Sequence, residues 1–166
     1  MNARFHALSD KELLAQCDLL TARASGPGGR RRDTTETAVR IVHRPTGIHA
    51  VAAERRSQAE NRAVAIKRLR RKLAVLVRQN VAGDPSLTSA VTLALFAASE
   101  RNPARLDAIA LALDALESFG GRISDAARWL GVSTGQLSSF LETDPEMWQE
   151  ACRIRARYGL SPLRRK

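Results

Sequence analysis

The sequence predicts an α+β fold: a β-hairpin sheet packed on a long basic helix, followed by an all-helical C-terminal region with a helix-turn-helix-like unit. Three patterns predict it. Apolar and polar residues alternate on both sides of a turn, an apolar row then recurs at helical spacing, and the second half is rich in Ala and Leu. The segment Gly83-Asp84-Pro85 interrupts these patterns. We therefore predict a first domain over residues 1–82 and a second over residues 83–166.

Short elements are predicted ahead of the long helix. Ser9 and Glu12 have the spacing of a capping box, in which each side chain accepts a hydrogen bond from the other residue's backbone N–H. Alternating residues around the turn Pro45-Thr46-Gly47 predict a β-hairpin. The predicted bounds are residues 10–17 for the helix, 19–24 for a short extended segment, and 38–42 and 48–52 for the hairpin strands.

The long helix is predicted over residues 56–79. Its apolar residues recur three or four positions apart on one face: Ile66, Leu69, Leu73 and Leu76. Its other face is basic, with Arg62, Lys67, Arg68, Arg70, Arg71, Lys72 and Arg78. At ~1.5 Å per residue the helix spans about 36 Å, long enough to present a basic face along an RNA backbone.

The second half predicts five helices, over residues 87–99, 104–119, 124–130, 133–141 and 145–158. Asn102-Pro103 separates the first two, which predicts a helical hairpin. Gly131 as the turn and Ser133 as a helix cap give residues 123–141 the pattern of a helix-turn-helix. Its second helix carries no Lys or Arg to attract phosphates, so sequence-specific DNA binding is disfavoured. We predict a packing or protein-docking module instead.

The formal net charge of +10 lies entirely in the first half. Residues 1–80 contain 17 Lys and Arg against 7 Asp and Glu, whereas residues 81–166 contain 10 of each. This asymmetry indicates a nucleic-acid-facing domain joined to an electrically neutral one. The alternative is a solvated basic face without a partner.

Membrane, secretory and metal-binding classes are not supported. No apolar run reaches the roughly 18 residues needed to span a bilayer, and the first twenty residues lack the layout of a secretory signal. A cytoplasmic protein without a membrane partner is therefore expected. Cys17 and Cys152 have no second ligand at metal spacing, and His43 and His49 are expected to be ordinary strand residues. We expect no metal and no cofactor.

A glycine-rich segment carries the main candidate for chemistry. Ser25-Gly26-Pro27-Gly28-Gly29 cannot form regular structure. Three further blocks follow it: Ala38-Val39-Arg40, Pro45-Thr46-Gly47-Ile48, and Arg56-Ser57-Gln58 with Asn61. In this order and spacing the four blocks resemble the Gly-Gly-Gln domain of bacterial class I peptide chain release factors and the small ribosome-rescue hydrolases, over roughly residues 18–80.

The resemblance implies a function on the ribosome. In that family the glycine loop enters the peptidyl transferase centre of the large subunit and helps water attack the ester of peptidyl-tRNA. By resemblance the catalytic positions are Gly28, Gly29 and Arg30, and the partner is the ribosome with its large-subunit RNA and peptidyl-tRNA. This sequence departs from the family there, because Arg30 replaces the glutamine, and Asp33 and Thr34 replace the usual Asn-Lys pair. Hydrolysis is expected to be weakened or lost.

Polar and basic residues of the same region are the candidate RNA contacts: Ser25, Arg30, Arg31, Arg32, Arg40, Arg44, Arg55, Arg56, Gln58, Arg62, Lys67 and Arg71. For the run Arg30-Arg31-Arg32 the alternative is a solubilising charge run, and the same alternative applies to Arg55, Arg56 and Arg62. For Ser57, Gln58 and Asn61 the alternative is helix capping and local packing. A C-terminal basic tail is a further candidate, formed by Arg153, Arg155, Arg157 and Arg164-Arg165-Lys166. Three functions stay open: a release-factor-like protein in termination or rescue, a non-enzymatic ribosome- or RNA-binding module, and a DNA-binding regulator.

Overall fold

The computed structural model describes residues 4–22, 37–83 and 89–164. Within these ranges lie a three-stranded antiparallel sheet, seven α-helices and a short 3-10 helix, which confirms the predicted α+β fold. The packing divides the chain into a first unit that ends at Leu73 and a second that begins at Ala74. This division falls inside a helix, nine residues before the boundary placed at residue 82 from the sequence.

Two short helices precede the sheet in the first unit. A 3-10 helix covers Phe5–Ala7, and α1 covers Asp10–Ala15. The predicted capping box is present: Ser9 Oγ accepts from the Glu12 N–H at 3.3 Å, and Glu12 Oε2 accepts from the Ser9 N–H at 2.9 Å. Ser9 Oγ also donates to Glu12 Oε2 at 2.7 Å, and this bond, together with the one from the Ser9 N–H, holds the pKa of the Glu12 carboxyl below its usual value. Helix α1 ends two residues earlier than predicted, because Cys17 already begins the first strand.

The sheet has the strand order β1-β2-β3, and both pairs are antiparallel. Strand β1 covers Cys17–Ala22, β2 covers Ala38–His43 and β3 covers His49–Ala52. The predicted hairpin is confirmed as β2 and β3. The extended segment predicted over residues 19–24 is β1, which starts two residues earlier.

Helix α2 covers Gln58–Leu76. Buried residues of α1, the sheet and α2 form the apolar core of the first unit: Leu13, Val39, Ile41, Ala50, Ala52, Ala65, Ile66, Leu69 and Leu73. The helix starts two residues later than predicted because Ser57 caps it, its Oγ accepting from the Glu60 N–H at 3.4 Å. It ends before the predicted residue 79, because the backbone N–H groups of Gln79 and Val81 donate to side chains of a later helix.

Five helices follow in the second unit: α3 (Ser89–Phe96), α4 (Ala104–Ser118), α5 (Ile123–Trp129), α6 (Thr134–Glu142) and α7 (Pro145–Arg157). Helix α4 is central, since it contacts α3, α5 and α7 and its residues 108–116 are all buried. Its contact with α3 confirms the predicted helical hairpin. The bounds of the last four helices lie within one residue of the prediction.

The helix-turn-helix pattern is confirmed in α5 and α6. Gly131 occupies the left-handed region at φ +69°, which makes the turn. Ser133 Oγ then accepts from the Gln136 N–H at 3.1 Å, and Gln136 Oε1 accepts from the Ser133 N–H at 2.8 Å. Leu137 is fully buried and returns α6 to the core.

The C-terminal segment folds back on the second unit. Arg155 Nε donates to the Ser161 carbonyl at 2.7 Å, its Nη1 donates to the Gly121 carbonyl at 2.7 Å, and Leu163 packs against the core. Residue 121 must be glycine, because its φ is +73° and a Cβ would lie 3.1 Å from the Arg155 Cα. Of the predicted C-terminal basic tail, Arg153, Arg155 and Arg157 thus lie on α7, and the chain stays packed on this unit as far as Leu163. The last two residues lie outside the described ranges.

The described residues offer neither a membrane helix nor a metal cluster. No helix among them is both long and apolar enough to cross a bilayer. No group of three or more His, Cys, Asp or Glu side chains in the same ranges comes close enough to hold a metal ion. Cys17 is buried, its Sγ donates to the Leu13 carbonyl at 3.1 Å, and burial raises the pKa of the thiol.

His43 is fully buried at the end of β2. Its Nδ1 lies 2.9 Å from Thr46 Oγ1, its Nε2 lies 3.4 Å from Gln16 Oε1, and the Phe5 ring packs against it at 4.6 Å between centroids. Burial lowers the pKa of His43 below its ordinary value of 6.5, and the positive charge of Arg44 lowers it further. His43 is therefore a structural strand residue, as the sequence predicted.

Lowering the pH is expected to destabilise the first unit through His43. Because its folded-state pKa is depressed, the unfolded chain binds the proton more tightly, so stability present above pH 6.5 is lost as the pH falls below that value. One proton changes the free energy of unfolding by at most about 1.4 kcal/mol per pH unit. The measurement is amide hydrogen exchange of β2 across a urea series, between about pH 7.5 and 5.5.

Two variants separate His43 from other titrating groups. His43→Gln is expected to remove this pH dependence, whereas His49→Gln, on the exposed side of β3, is expected to keep it. A pH dependence that survives His43→Gln would assign the effect to another group.

Candidate nucleic-acid interface

The glycine-rich segment is inserted between two paired strands. Ala22 at the end of β1 pairs with Ala38 at the start of β2, so residues 23–37 leave and re-enter the sheet at the same end. Strand β3 finishes at this end as well, with Ala52 opposite Val39. We call this the loop end of the sheet.

Six candidate residues belong to the segment and lie outside the described residues: Ser25, Gly28, Gly29, Arg30, Arg31 and Arg32. In the sequence they stand between the paired residues Ala22 and Ala38. Arg30 is eight residues from Ala22 and eight from Ala38. The residue that follows the two glycines is therefore the midpoint of the connection.

A turn over residues 53–57, the arginine turn, follows β3 at the loop end and carries the exposed Arg55 and Arg56. Asn61 of α2, which is fully buried, ties this turn to the start of β2. Its Oδ1 accepts from the Arg55 N–H at 2.9 Å, and its Nδ2 donates to the carbonyls of Thr37 at 2.6 Å and Arg55 at 3.0 Å. The structure thus brings Arg55 and Arg56 beside the strand at which the glycine-rich segment ends.

Three more candidates lie near the loop end with exposed side chains. Gln58 is the first residue of α2, and Arg62 follows about one turn later. Arg40 lies on the open face of the sheet, in register between Leu20 of β1 and Val51 of β3, which are 55% and 46% exposed. The candidates placed near the loop end are therefore Arg55, Arg56, Gln58 and Arg62, with Arg40 two residues into β2 on the open face of the sheet.

Acidic residues do not cancel the positive charge of the loop end. Glu54 of the arginine turn pairs with Arg68 of α2, and this hydrogen bond holds the pKa of Glu54 below its usual value. Glu60 is the acidic residue in the first turn of α2. Among the described residues of the loop end, two carboxylates thus lie near four arginines, and Glu54 is already paired with a fifth arginine. The remaining positive potential suits a phosphate backbone.

Arg44, Lys67 and Arg71 are placed apart from this group. Arg44 follows β2 at the opposite end of the sheet, where its guanidinium donates to two carbonyls of the α1–β1 turn, at 2.6 and 2.9 Å, and to Asp18 Oδ1 at 2.8 Å. It therefore serves the fold at that end. Lys67 and Arg71 lie one turn apart further along α2, the first exposed and the second half-buried.

Other basic residues of α2 are used within the first unit. Arg68 Nη1 donates to the Val51 carbonyl at 2.7 Å, and Lys72 Nζ donates to the His49 carbonyl at 3.0 Å. Both carbonyls belong to β3, an outer strand of the described sheet. The two side chains therefore supply hydrogen-bond donors to backbone carbonyls of this outer strand. Arg70 donates to a carbonyl of the 3-10 helix at 2.7 Å. Arg68, Arg70 and Lys72 of the basic face predicted for α2 are thus bonded within the first unit, and the use of that face on RNA stays a prediction.

Comparison with known proteins decides the family. The family model described as RF-1 domain matches residues 12–95, just over half of the chain. The chain belongs to the RF-1 domain family. The matched residues include the glycine-rich segment and the whole loop end, and the resemblance drawn from the four sequence blocks is confirmed.

Curated relatives of this RF-1 domain protein are named as release factors. "Peptide chain release factor 1" of Bartonella tribocorum is 52% identical over 66 residues, which cover 40% of this chain and 18% of the relative. The protein of the same name from Ureaplasma parvum is 57% identical over 53 residues, 32% of this chain and 15% of the relative. "Peptide chain release factor 1-like, mitochondrial" of Rattus norvegicus is 55% identical over 53 residues, 32% and 14% respectively. The chain thus spans less than a fifth of the length of these relatives.

Sequence reasoning missed the connecting role of Asn61 in this RF-1 domain. The bond to Thr37 joins residues 24 positions apart, and no local pattern predicts such a contact. One signal was available. Asn61 stands four residues before Ala65 and eight before Leu69, so the buried row of α2 begins with an amide where an apolar residue is expected.

Proposed function

We propose that this protein acts on the ribosome as a release-factor-like protein in translation termination or rescue. The observation that carries the proposal is the arrangement of the RF-1 domain, in which the glycine-rich segment joins the sheet beside the exposed arginine turn. The proposed partner is the large ribosomal subunit with its peptidyl-tRNA, and the proposed location is the cytoplasm.

The proposed chemistry is hydrolysis of the peptidyl-tRNA ester at a weakened site. Gly28 and Gly29 allow close approach of the backbone to the ester, because they lack a Cβ. The Arg30 N–H donates to the carbonyl oxygen that becomes negative as water attacks. Arg30 lacks the side-chain amide of the family's glutamine, and its guanidinium binds phosphate instead. We therefore expect slow hydrolysis.

Proposed binding to ribosomal RNA is centred on the loop end. The contacts there are Arg40, Arg55, Arg56, Gln58 and Arg62, extended by Ser25, Arg31 and Arg32 in the glycine-rich segment and by Lys67 and Arg71 along α2. Phosphate contacts of this kind supply affinity without reading base sequence. They suit a protein that recognises one ribosomal site by its shape.

A second candidate function is occupancy of the ribosome without chemistry. The replacement of the motif glutamine by Arg30 favours it, because a permanently charged side chain binds phosphate but supplies no amide. The DNA-binding alternative has weaker support. Helix α6, the second helix of the helix-turn-helix, contains no Lys or Arg, so its exposed face offers no attraction to phosphate.

Binding to purified large subunits is expected to weaken steeply with salt. If about five phosphates are contacted, the log–log slope of the association constant against salt is about −3.5 to −4.5. The double variant Arg55→Gln with Arg56→Gln removes about two contacts, so it is expected to bind more weakly and to reduce the slope by about 1.4 to 1.8. Co-sedimentation with large subunits over a salt series measures both quantities.

A charge-matched control is available in the second unit. Arg122→Gln with Arg128→Gln removes two exposed arginines that pair with Asp125, and this variant is expected to bind like the unaltered protein. An affinity independent of salt, or equal losses in the two double variants, would contradict an interface at the loop end.

A further inference from the structure

Asn61 is a buried amide at the loop end. Its side chain is fully excluded from solvent, although the adjacent Glu60 and Arg62 are exposed. Burying an amide is costly unless its polar groups are paired. Its partners therefore indicate what the residue does.

Those partners lie outside α2. Capping does not account for the amide, because Ser57 Oγ already accepts from the Glu60 N–H and the Asn61 N–H donates to the Ser57 carbonyl at 3.0 Å. The three side-chain hydrogen bonds instead connect Arg55, which precedes the helix, with Thr37, which begins the return to β2.

One side chain therefore holds two separate stretches of backbone. Both the N–H and the carbonyl of Arg55 bond to Asn61, while the side chains of Arg55 and Arg56 stay exposed. Thr37 directly follows the glycine-rich segment in the chain, and its carbonyl bonds to the same amide. The arginine turn is thereby fixed against the point at which that segment joins the sheet.

We propose that Asn61 is a positioning residue for ribosome binding, which keeps the arginine turn and the start of β2 together while touching no RNA itself. The proposal rests on the proposed function and adds to it a residue that acts through Arg55 and Arg56. Without these hydrogen bonds the turn presents its arginines in the binding geometry for only part of the time. The apparent affinity then falls by that fraction.

The first test uses the unaltered protein. Amide hydrogen exchange at Arg55 is expected to be slow although its side chain is exposed, because its N–H is bonded to a buried acceptor. Exchange at the rate of an unbonded turn amide would overturn the proposal.

The second test compares four variants. Asn61→Leu keeps a similar volume and removes all three hydrogen bonds, whereas Asn61→Asp keeps the acceptor for Arg55 and removes both donated bonds. Ile66→Val and Leu69→Ala are controls from the buried face of α2, used to match the loss of thermal stability. If the turn stays ordered about a tenth of the time, large-subunit affinity falls about tenfold in the Asn61 variants and not in the controls.

The rate of trypsin cleavage after Arg55 and Arg56 measures the order of the arginine turn without the ribosome. Cleavage is expected to accelerate in the Asn61 variants and not in the two controls. Equal losses of affinity in the stability-matched controls would overturn the positioning role. Faster cleavage with unchanged affinity would overturn it too, while leaving the proposed function intact. If the unaltered protein does not bind large subunits, the proposed function is overturned. The positioning role is then overturned too, even if the Arg55 amide exchanges slowly.

Discussion

Replacing Arg30 with glutamine is expected to accelerate peptide release by about 100- to 1000-fold. The variant gains a side-chain amide next to Gly29, and one donor to a developing oxyanion is worth roughly 10²–10³ in rate. It also loses the permanent positive charge that, in the proposed function, binds phosphate in a cavity lined by RNA. The measurement is hydrolysis of peptidyl-tRNA on purified ribosomes, in a single turnover at saturating protein.

Arg31→Gln is the matched control for this experiment. It makes the same change of charge one residue later, at a proposed RNA contact and not at a catalytic position. It is therefore expected to weaken binding while leaving the release rate at saturating protein unchanged. Fast release by both the unaltered protein and Arg30→Gln would refute the claim that Arg30 impairs the segment. No release by any of the three proteins, with binding retained, would favour occupancy of the ribosome without chemistry.

Sequence patterns that span only a few residues predicted the helices and strands of the fold, and most of their bounds, closely. Ser9 and Ser133 each form a capping box with the residue three positions later, and each fixes the start of its helix. Gly131 supplies the left-handed turn that α5 and α6 require. These contacts are complete within one turn of chain, so their sequence pattern is sufficient.

The surface positions of the basic side chains were harder to predict from the sequence than the helices and strands. Helical spacing places Arg68 and Lys72 on α2, but their hydrogen bonds reach 17 and 23 residues back to β3. Long side chains can leave the face from which they start, so a basic pattern overstates the basic surface. Arg44 shows the same effect, because its partners lie 26 to 29 residues away. The order of blocks, and not charge alone, identified the RF-1 domain.

The chemistry of the candidate site came from resemblance and not from local physics. Glycine and proline composition predicts only that residues 25–29 are irregular. The strand pairing adds that Arg30 is the midpoint of a connection at the loop end. Its reaction follows from neither observation, which is why the Arg30→Gln experiment bears on the function so directly.

The largest effect on stability is expected at Asp114 in the second unit. Its side chain is 2% exposed, and its Oδ1 accepts from Arg78 Nη1 at 3.0 Å and from the Gln79 N–H at 3.0 Å. Arg78 is itself only 13% exposed, and burial lowers its pKa while the charge of Asp114 opposes that shift. Asp114→Ala leaves a buried cation and a backbone N–H without this partner, which is expected to cost about 3–5 kcal/mol.

Removing both charges together is expected to restore most of that loss. Arg78→Met with Asp114→Leu replaces the pair by apolar side chains, a change that is often near neutral. Loss of the Asp114 acceptor for the Gln79 N–H leaves a deficit of about 1–3 kcal/mol. Urea unfolding followed by tryptophan fluorescence reports this unit, because Trp129 and Trp148 both belong to it. The control Asp125→Ala breaks only exposed pairs and is expected to change stability little. The two single variants each lose some free energy of unfolding. If the double variant loses the sum of these two amounts, Arg78 and Asp114 stabilise the unit independently, and the expected coupling is refuted.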